Sequence, residues 1–298
     1  MIQNKYEIQT KIGNGKFGSV FLGENRVSKK PVAIKIEEKE GCIRNESRIL
    51  EYLARNGCKN IANIFWYGVQ EKYTFLVMTY IDGISLSKYL DSTSTSVSVE
   101  NVQDTWISLI KILEKIHSVG VIHRDIKPDH FLFWKNEWYL IDFGFATFSL
   151  TGTSTSTESS ITREHIIGTP NYISTNIHNG FSPTARDDLI SLGYIFLEME
   201  LSLAIGSLAI GSLAIRERLP WSRTVLFPVE ASAEYTECHI LHVQNQYKKK
   251  YKEKWENENP EHWIRQYLQD IYSSGPYCSE YQEKCIYTKL INRIKQYK

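Results

Sequence analysis

The run VIHRDIKPDHFLF, Val121–Phe133, followed by IDFG at Ile141–Gly144, decides how this chain is read. It sets an Asp (Asp125), a Lys two residues on (Lys127) and a second Asp (Asp142) close together in sequence. That spacing suits the transfer of a phosphoryl group to a hydroxyl. Asp125 would accept or orient the proton of the attacking hydroxyl. Lys127 would offset charge on the transferring phosphate, and Asp142 would hold the divalent cation that bridges the phosphates. Such catalysis is positioning plus charge stabilisation, so the three side chains must converge on one point.

The rest of the chain is compatible with that chemistry. Its 298 residues are 42% hydrophobic and 23% charged, which fits a globular protein with a real core. A formal net charge of +1 gives no field that points to nucleic acid or membrane. The lysine run KKKYK, Lys248–Lys252, reads as a solvated helix face, with a docking or nuclear-import patch as its alternative. Five scattered cysteines without a CxxC pair indicate a reducing compartment, and the N-terminus carries no apolar run long enough for a signal peptide. Leu189–Ile215 is apolar enough to be weighed as a membrane span. Glu198 and Glu200 near its middle argue instead for a buried helix followed by an insert.

Short β-prone segments at Tyr6–Ile12, Ser19–Leu22, Val32–Ile36 and Phe75–Met78 surround a helical pattern over Glu46–Arg55. After Asp91, STSTSVS reads as a loop. Val102, Trp106, Leu109, Ile110, Leu113 and Ile116 then fall on one helical face, with Gly120 just past its end. The remainder is mostly helical in pattern. The expectation is an α+β chain with a small β-rich part, a larger helical part and a cleft between. Leu150–Ser160 is Ser/Thr-rich, and Ser202–Ile215 repeats SLAIG in tandem, a unit too short for a solenoid and read as a duplication that lengthens a loop or helix end.

Gly13, Gly15 and Gly18 form GxGxxG with Val20 two residues on. A β-like run follows, so the motif reads as a hairpin whose backbone N–H groups can approach phosphate oxygens. VAIK, Val32–Lys35, puts a lysine within an apolar strand, which needs a partner for its ammonium. At about 100° per residue, Glu46 points along the mean direction of Ile49, Leu50 and Leu53, whereas Glu51 points roughly 140° away. A Lys35–Glu46 pair is expected, with Glu51 on the surface.

On these motifs the chain resembles the protein kinase superfamily, and within it the casein kinase 1 family, from about Tyr6 to the low 220s. KIGNGKFGSVFLG, VAIKIE, ESRIL, YTFLVMTYIDGISL and HRDIKPD carry the likeness, as do GTPNYISTN (Gly168–Asn176, with Asn176 where most kinases have Glu), RDDLISLGY (Arg186–Tyr194) and LPW (Leu219–Trp221). The resemblance implies one bilobal kinase domain over 1–298: an N-lobe to about 80, a hinge near 79–82, a C-lobe from about 83, and the insert at 202–215. It implies Met78 as gatekeeper and Thr79–Ile81 as the adenine-binding linker. Ile12, Val20, Ala33 and Leu132 join Gly13, Gly15, Gly18, Lys35, Glu46, Met78, Thr79 and Ile81 as nucleotide-binding residues. Asp188 would brace the backbone of the catalytic loop.

His130 stands where the family has a metal-binding Asn. Imidazole suits Mg²⁺ poorly and Mn²⁺ better. Among the negative groups expected around it, His130 would be pushed towards its charged form and could replace part of a missing metal's charge. Two readings stay open: a working kinase with ATP, Mg²⁺ or Mn²⁺, and metal positions Asp142 and His130, or a pseudokinase that acts by binding nucleotide or partners. The resemblance further implies protein Ser/Thr substrates near acidic or already phosphorylated residues, recognised by basic groups among Arg163, Arg186, Arg216, Arg218 and Arg223. Arg124 could receive a phosphate placed on the Ser/Thr-rich segment. The chain is expected to be an intracellular, cytoplasmic or nuclear monomer without the long tail of many family members.

Overall fold

The computed structural model describes residues 2–15, 18–38, 41–91, 102–149, 166–206, 219, 244–251, 253, 257, 262–273 and 280–296. The strands are β1 (Tyr6–Gly15), β2 (Gly18–Asn25), β3 (Pro31–Glu37), β4 (Ile64–Gln70), β5 (Tyr73–Thr79), β6 (Ile84–Ser85), β7 (Val121–Ile122), β8 (Phe131–Trp134), β9 (Glu137–Leu140) and β10 (Thr147–Phe148). The helices are α1 (Cys42–Arg55), α2 (Leu86–Asp91), α3 (Val102–Ser118), α4 (Thr175–His178), α5 (Ala185–Gly206), α6 (244–251), α7 (Trp263–Ser273) and α8 (Glu280–Gln296). By packing, the chain forms two compact units: Met1–Leu86 with Asp129–Phe148, and Ser87–Pro128 with Ser149–Lys298. The first is rich in strands and the second in helices, as expected of an α+β chain. The sequence boundary near residue 80 follows chain order, whereas packing returns Asp129–Phe148 to the sheet unit.

In the first unit β1 to β5 form an antiparallel sheet in the order β1-β2-β3-β5-β4. Side chains alternate between its faces. Val32 and Ile34 of β3 join Tyr6, Phe75, Val77 and Ile2 in the core beneath one face. Ala33 and Lys35 have the opposite parity and face the side on which α1 delivers Glu46. Helix α1 is amphipathic: Ile43, Glu46, Ile49, Leu50 and Leu53 are buried, each large apolar one contributing about 1.5–3 kcal/mol by leaving water. The Glu37 carboxylate accepts from the N–H groups of Cys42 (3.4 Å) and Ile43 (3.1 Å), satisfying donors at the helix start. A smaller sheet, β6-β8-β9, is joined to this unit by the Ile61–Leu140 bridge and by Asn60 Nδ2 donating to Trp138 O at 3.0 Å.

The second unit is built on α3 and α5. Trp106, Leu109, Ile110, Leu113 and Ile116 of α3 are all buried, as their spacing predicts. Leu189, Ile190, Leu192, Ile195, Phe196, Leu197 and Met199 bury α5 on nearly every side. Trp106 stacks within 4.3 Å of Trp263 and 5.7 Å of Phe196, tying α3, α5 and α7 together. Both acids of the apolar stretch are partnered. Glu198 accepts from the Tyr172 hydroxyl at 2.6 Å, and Glu200 lies 3.1 Å from His262 Nε2 and accepts from the Trp263 indole. Among the described residues no helix is long and apolar enough to cross a membrane.

Three expectations change. Strand β4 and the hairpin β8–β9 were not legible: β8 is a four-residue apolar run inside a stretch that otherwise reads as helical. The KKKYK run is not uniformly solvated. Lys249 and Lys250 are exposed, but Lys248 is only 2% exposed, because residues 244, 245 and 248 form the inward face of α6. Arg186 is not available as a substrate-binding cation, since its guanidinium donates to the carbonyls of Ile271 (2.7 Å) and Tyr272 (3.0 Å). The STSTSVS tract, Leu150–Ser160, the SLAIG copies after Gly206, Pro220, Trp221, Lys252, Arg163, Arg216, Arg218 and Arg223 lie outside the described residues.

Candidate active site

Lys35 lies on β3 between two carboxylates, 2.6 Å from Glu46 Oε2 and 2.8 Å from Asp142 Oδ1. Burial pulls its pKa down, but Glu46 and Asp142 outweigh that and hold it above the usual lysine range. Glu46 is pushed up by burial, against the pull of Lys35. Glu46 Oε1 also accepts the N–H of Phe143 at 3.1 Å, fixing the turn that follows Asp142. Asp142 itself has a left-handed backbone (φ 63°, ψ 71°), a strained conformation for a residue with a Cβ. With two carboxylates and one ammonium, this cluster carries a net negative charge and favours a cation beside Asp142, whose side chain is 38% exposed. Glu51 is a surface charge, paired with Arg55 at 2.6 Å.

Of the nucleotide-binding candidates, Gly13, Val20, Ala33 and Met78 share the sheet face that carries Lys35. Across the sheet Gly13 pairs with Val20, Val20 with Lys35 and Ala33 with Met78. Gly15 and Gly18 close the β1–β2 hairpin as a pair, as the motif predicts. At Gly18 (φ +150°) a Cβ would lie 2.1 Å from Ile36 O, so the backbone itself demands glycine. At Gly13 a Cβ would meet only the Val20 side chain at 3.7 Å. Internal packing therefore leaves Gly13 free to admit another molecule close to the strand. Ile12, at a register shift in β1, is 46% exposed, and Leu132 is half-buried in β8. Thr79 bonds Asn63 through backbone and hydroxyl, Ile81 is buried, and Gly83 N donates to Ile81 O at 2.8 Å.

Asp125 and Lys127 meet in the second unit. Lys127 Nζ is 3.1 Å from Asp125 Oδ2, and Thr169 joins both: its hydroxyl donates to Asp125 Oδ1 at 2.6 Å and receives Lys127 Nζ at 3.2 Å. Sequence reasoning missed Thr169. Gly168 before it has a φ of +115°, and a Cβ there would come within 2.7 Å of Arg124 O. Only glycine lets this segment pass so close to the catalytic run. Asp188 braces that run as expected, accepting from His123 N (2.7 Å), Arg124 N (2.9 Å) and His117 Nε2 (2.8 Å). Burial pushes its carboxyl up, but these bonds and the nearby histidines prevail and hold it below the usual range. Arg124 pays for the tight turn with a φ of +70°.

His130 Nε2 lies 3.4 Å from Asp142 Oδ2. Among the described residues no group of three or more His, Cys, Asp or Glu is placed to hold a metal. The carboxylate of Asp142 offers the hard oxygens that Mg²⁺ prefers, whereas the His130 imidazole beside it suits Mg²⁺ poorly.

Comparison with known proteins agrees with this geometry. The chain is 32% identical over 209 residues to Casein kinase I homolog 1 of Schizosaccharomyces pombe, a match covering 64% of this chain and 44% of that protein. It thus spans less than half the length of that relative. The family model described as protein kinase domain matches residues 6–208, and with more than half of its length so matched, the chain belongs to the protein kinase domain family.

Proposed function

We propose that this protein transfers the γ-phosphoryl group of ATP to Ser or Thr of protein substrates. The ionic cluster of Lys35, Glu46 and Asp142 is the observation that carries the reading, because it leaves a buried ammonium and a partly exposed carboxylate ready for phosphates and one cation. Asp125 orients the substrate hydroxyl and takes its proton as the oxygen attacks phosphorus. The bond from phosphorus to the β,γ-bridging oxygen breaks, and ADP departs. Lys127 offsets charge on the phosphoryl oxygens. Mg²⁺, or Mn²⁺, would be held by Asp142 and supply charge neutralisation on the phosphates. The resemblance extends the proposal to acidic or already phosphorylated target sites and to a monomer acting inside the cell.

The second reading, a nucleotide- or partner-binding pseudokinase, is favoured by one observation: an imidazole, not an amide, lies beside Asp142. An ATP-consumption assay with casein, run separately in Mg²⁺ and Mn²⁺ with Asp142→Asn as control, distinguishes the two. Turnover that Asp142→Asn abolishes supports the kinase. Nucleotide binding without turnover supports the pseudokinase, and calorimetry that detects no nucleotide uptake with either cation sinks both.

A further inference from the structure

Lys248 has no part in the transfer chemistry, yet it is nearly inaccessible in α6. Its Nζ lies 2.8 Å from Pro170 O, 2.7 Å from Ile173 O and 3.1 Å from His178 Nε2, with the Tyr194 ring centred 5.2 Å away. Burial pushes its pKa well below the usual lysine range, and the two N–H donors of the neutral amine match the two carbonyls. Burying an amine is costly unless its N–H groups are bonded, and its removal would take that donor from the carbonyls of Pro170 and Ile173. The bonds themselves are what Lys248 adds.

Those bonds all reach one segment. From the same face of α6, Gln244 Nε2 donates to Asn171 Oδ1 and Asn245 Nδ2 to Asn179 Oδ1, each at 2.9 Å. The segment so held begins directly after Thr169. Thr169 O accepts from Tyr172 N (2.9 Å) and Ile173 N (3.1 Å), closing a tight turn. Lys248 grips that turn by the carbonyls of Pro170 and Ile173, while the Thr169 side chain touches Asp125 and Lys127.

We propose that Lys248 is a positioning residue, whose amine holds the Thr169–Ile173 turn so that the Thr169 hydroxyl stays on Asp125. The proposal rests on the kinase reading of Asp125 and Lys127. It makes α6 a determinant of transfer rate and not of nucleotide affinity.

The test uses the full chain with Lys248→Met, Lys248→Gln and, as exposed control, Lys249→Ala. Three quantities are measured: kcat and KM for casein, ATP affinity by calorimetry, and hydrogen exchange across 168–174 and α3. Lys248→Met should lower kcat about tenfold, the effect of losing hydrogen bonds that align a reacting group. ATP affinity should stay within about twofold, because the groups proposed to anchor the phosphates, Lys35, Glu46 and Asp142, make no contact with Lys248 or the turn it holds. Exchange at the Tyr172 and Ile173 amides should quicken while α3 stays protected. Lys248→Gln, which keeps two N–H donors, should recover part of both effects, and it decides the matter if the Met variant does not fold. Unchanged kcat with unchanged exchange overturns the proposal, as does a loss confined to ATP affinity. Should the native protein transfer no phosphate, the kinase reading fails by itself, and the exchange rates alone then uphold or overturn the grip of Lys248 on the turn.

Discussion

Glu46 holds the N–H of Phe143 at 3.1 Å with one carboxylate oxygen while the other meets Lys35 at 2.6 Å. A single buried acid thus fixes both the phosphate-anchoring lysine and the backbone next to Asp142. Removing either partner has unequal costs. Lys35→Met leaves Glu46 buried and unpaired beside Asp142 and should destabilise the protein by about 3–5 kcal/mol. Glu46→Gln keeps an acceptor for Phe143 and leaves Lys35 paired with Asp142, so its loss should be smaller. Urea unfolding of both variants checks the order, and a larger loss for Glu46→Gln would contradict it.

His130 lies 3.4 Å from Asp142 in place of a hard oxygen ligand. His130→Asn should raise phosphoryl transfer in Mg²⁺ or reduce a preference for Mn²⁺. Initial rates in each cation report this. If transfer falls instead, His130 has a positive role and the metal site is not compromised.

Thr169 bonds both Asp125 and Lys127. Thr169→Val keeps the shape and removes the hydroxyl. Losing hydrogen bonds to charged groups, at about 1.5–3 kcal/mol, corresponds to a roughly tenfold to hundredfold fall in kcat. Thr169→Ser should retain most of the activity, and equal damage from Ser and Val would refute the hydroxyl's role.

Burial, reinforced by Lys248, lowers the His178 pKa to about 3. The unfolded imidazole titrates near 6.5, so below that pH the unfolded chain binds the extra proton and stability falls as pH falls. Between pH 7 and pH 5 the native protein should lose about 2 kcal/mol from this residue, a loss absent in His178→Gln. Denaturant titrations at pH 7, 6 and 5 compare the two slopes.

Asp188 accepts two backbone N–H groups and His117 while 2% exposed. Asp188→Asn turns an NH₂ towards one of those donors and should cost about 3–5 kcal/mol, read as a lower midpoint in thermal unfolding. An unchanged midpoint would mean that the catalytic run is braced elsewhere.

Much of the site was legible because its chemistry imposes local patterns. Lys35 stands out as a charge in an apolar strand, and the helical angle of Glu46 picks it over Glu51; the 2.6 Å pair follows from those two facts. Short-range periodicity likewise marks α1 and α3. What escaped depends on partners distant in sequence. Thr169 acquires its role from residues 44 and 42 positions earlier, and Lys248 from carbonyls 78 and 75 positions earlier, so nothing in the local sequence distinguishes either from a loop threonine or a surface lysine. Strand β8 failed for a related reason: only its pairing with β6 and β9 separates a four-residue apolar run from a helix.

The packing boundary between Pro128 and Asp129 cuts the most informative run of the chain. Asp125 and Lys127 take their support from Thr169 and Asp188, whereas His130 and Asp142 take theirs from the sheet, α1 and the hairpin. Two supporting frameworks thus meet on one continuous motif. The symptom of a damaging substitution far from both sets, whether lost anchoring at Lys35 or lost orientation at Asp125, should therefore disclose which framework it entered.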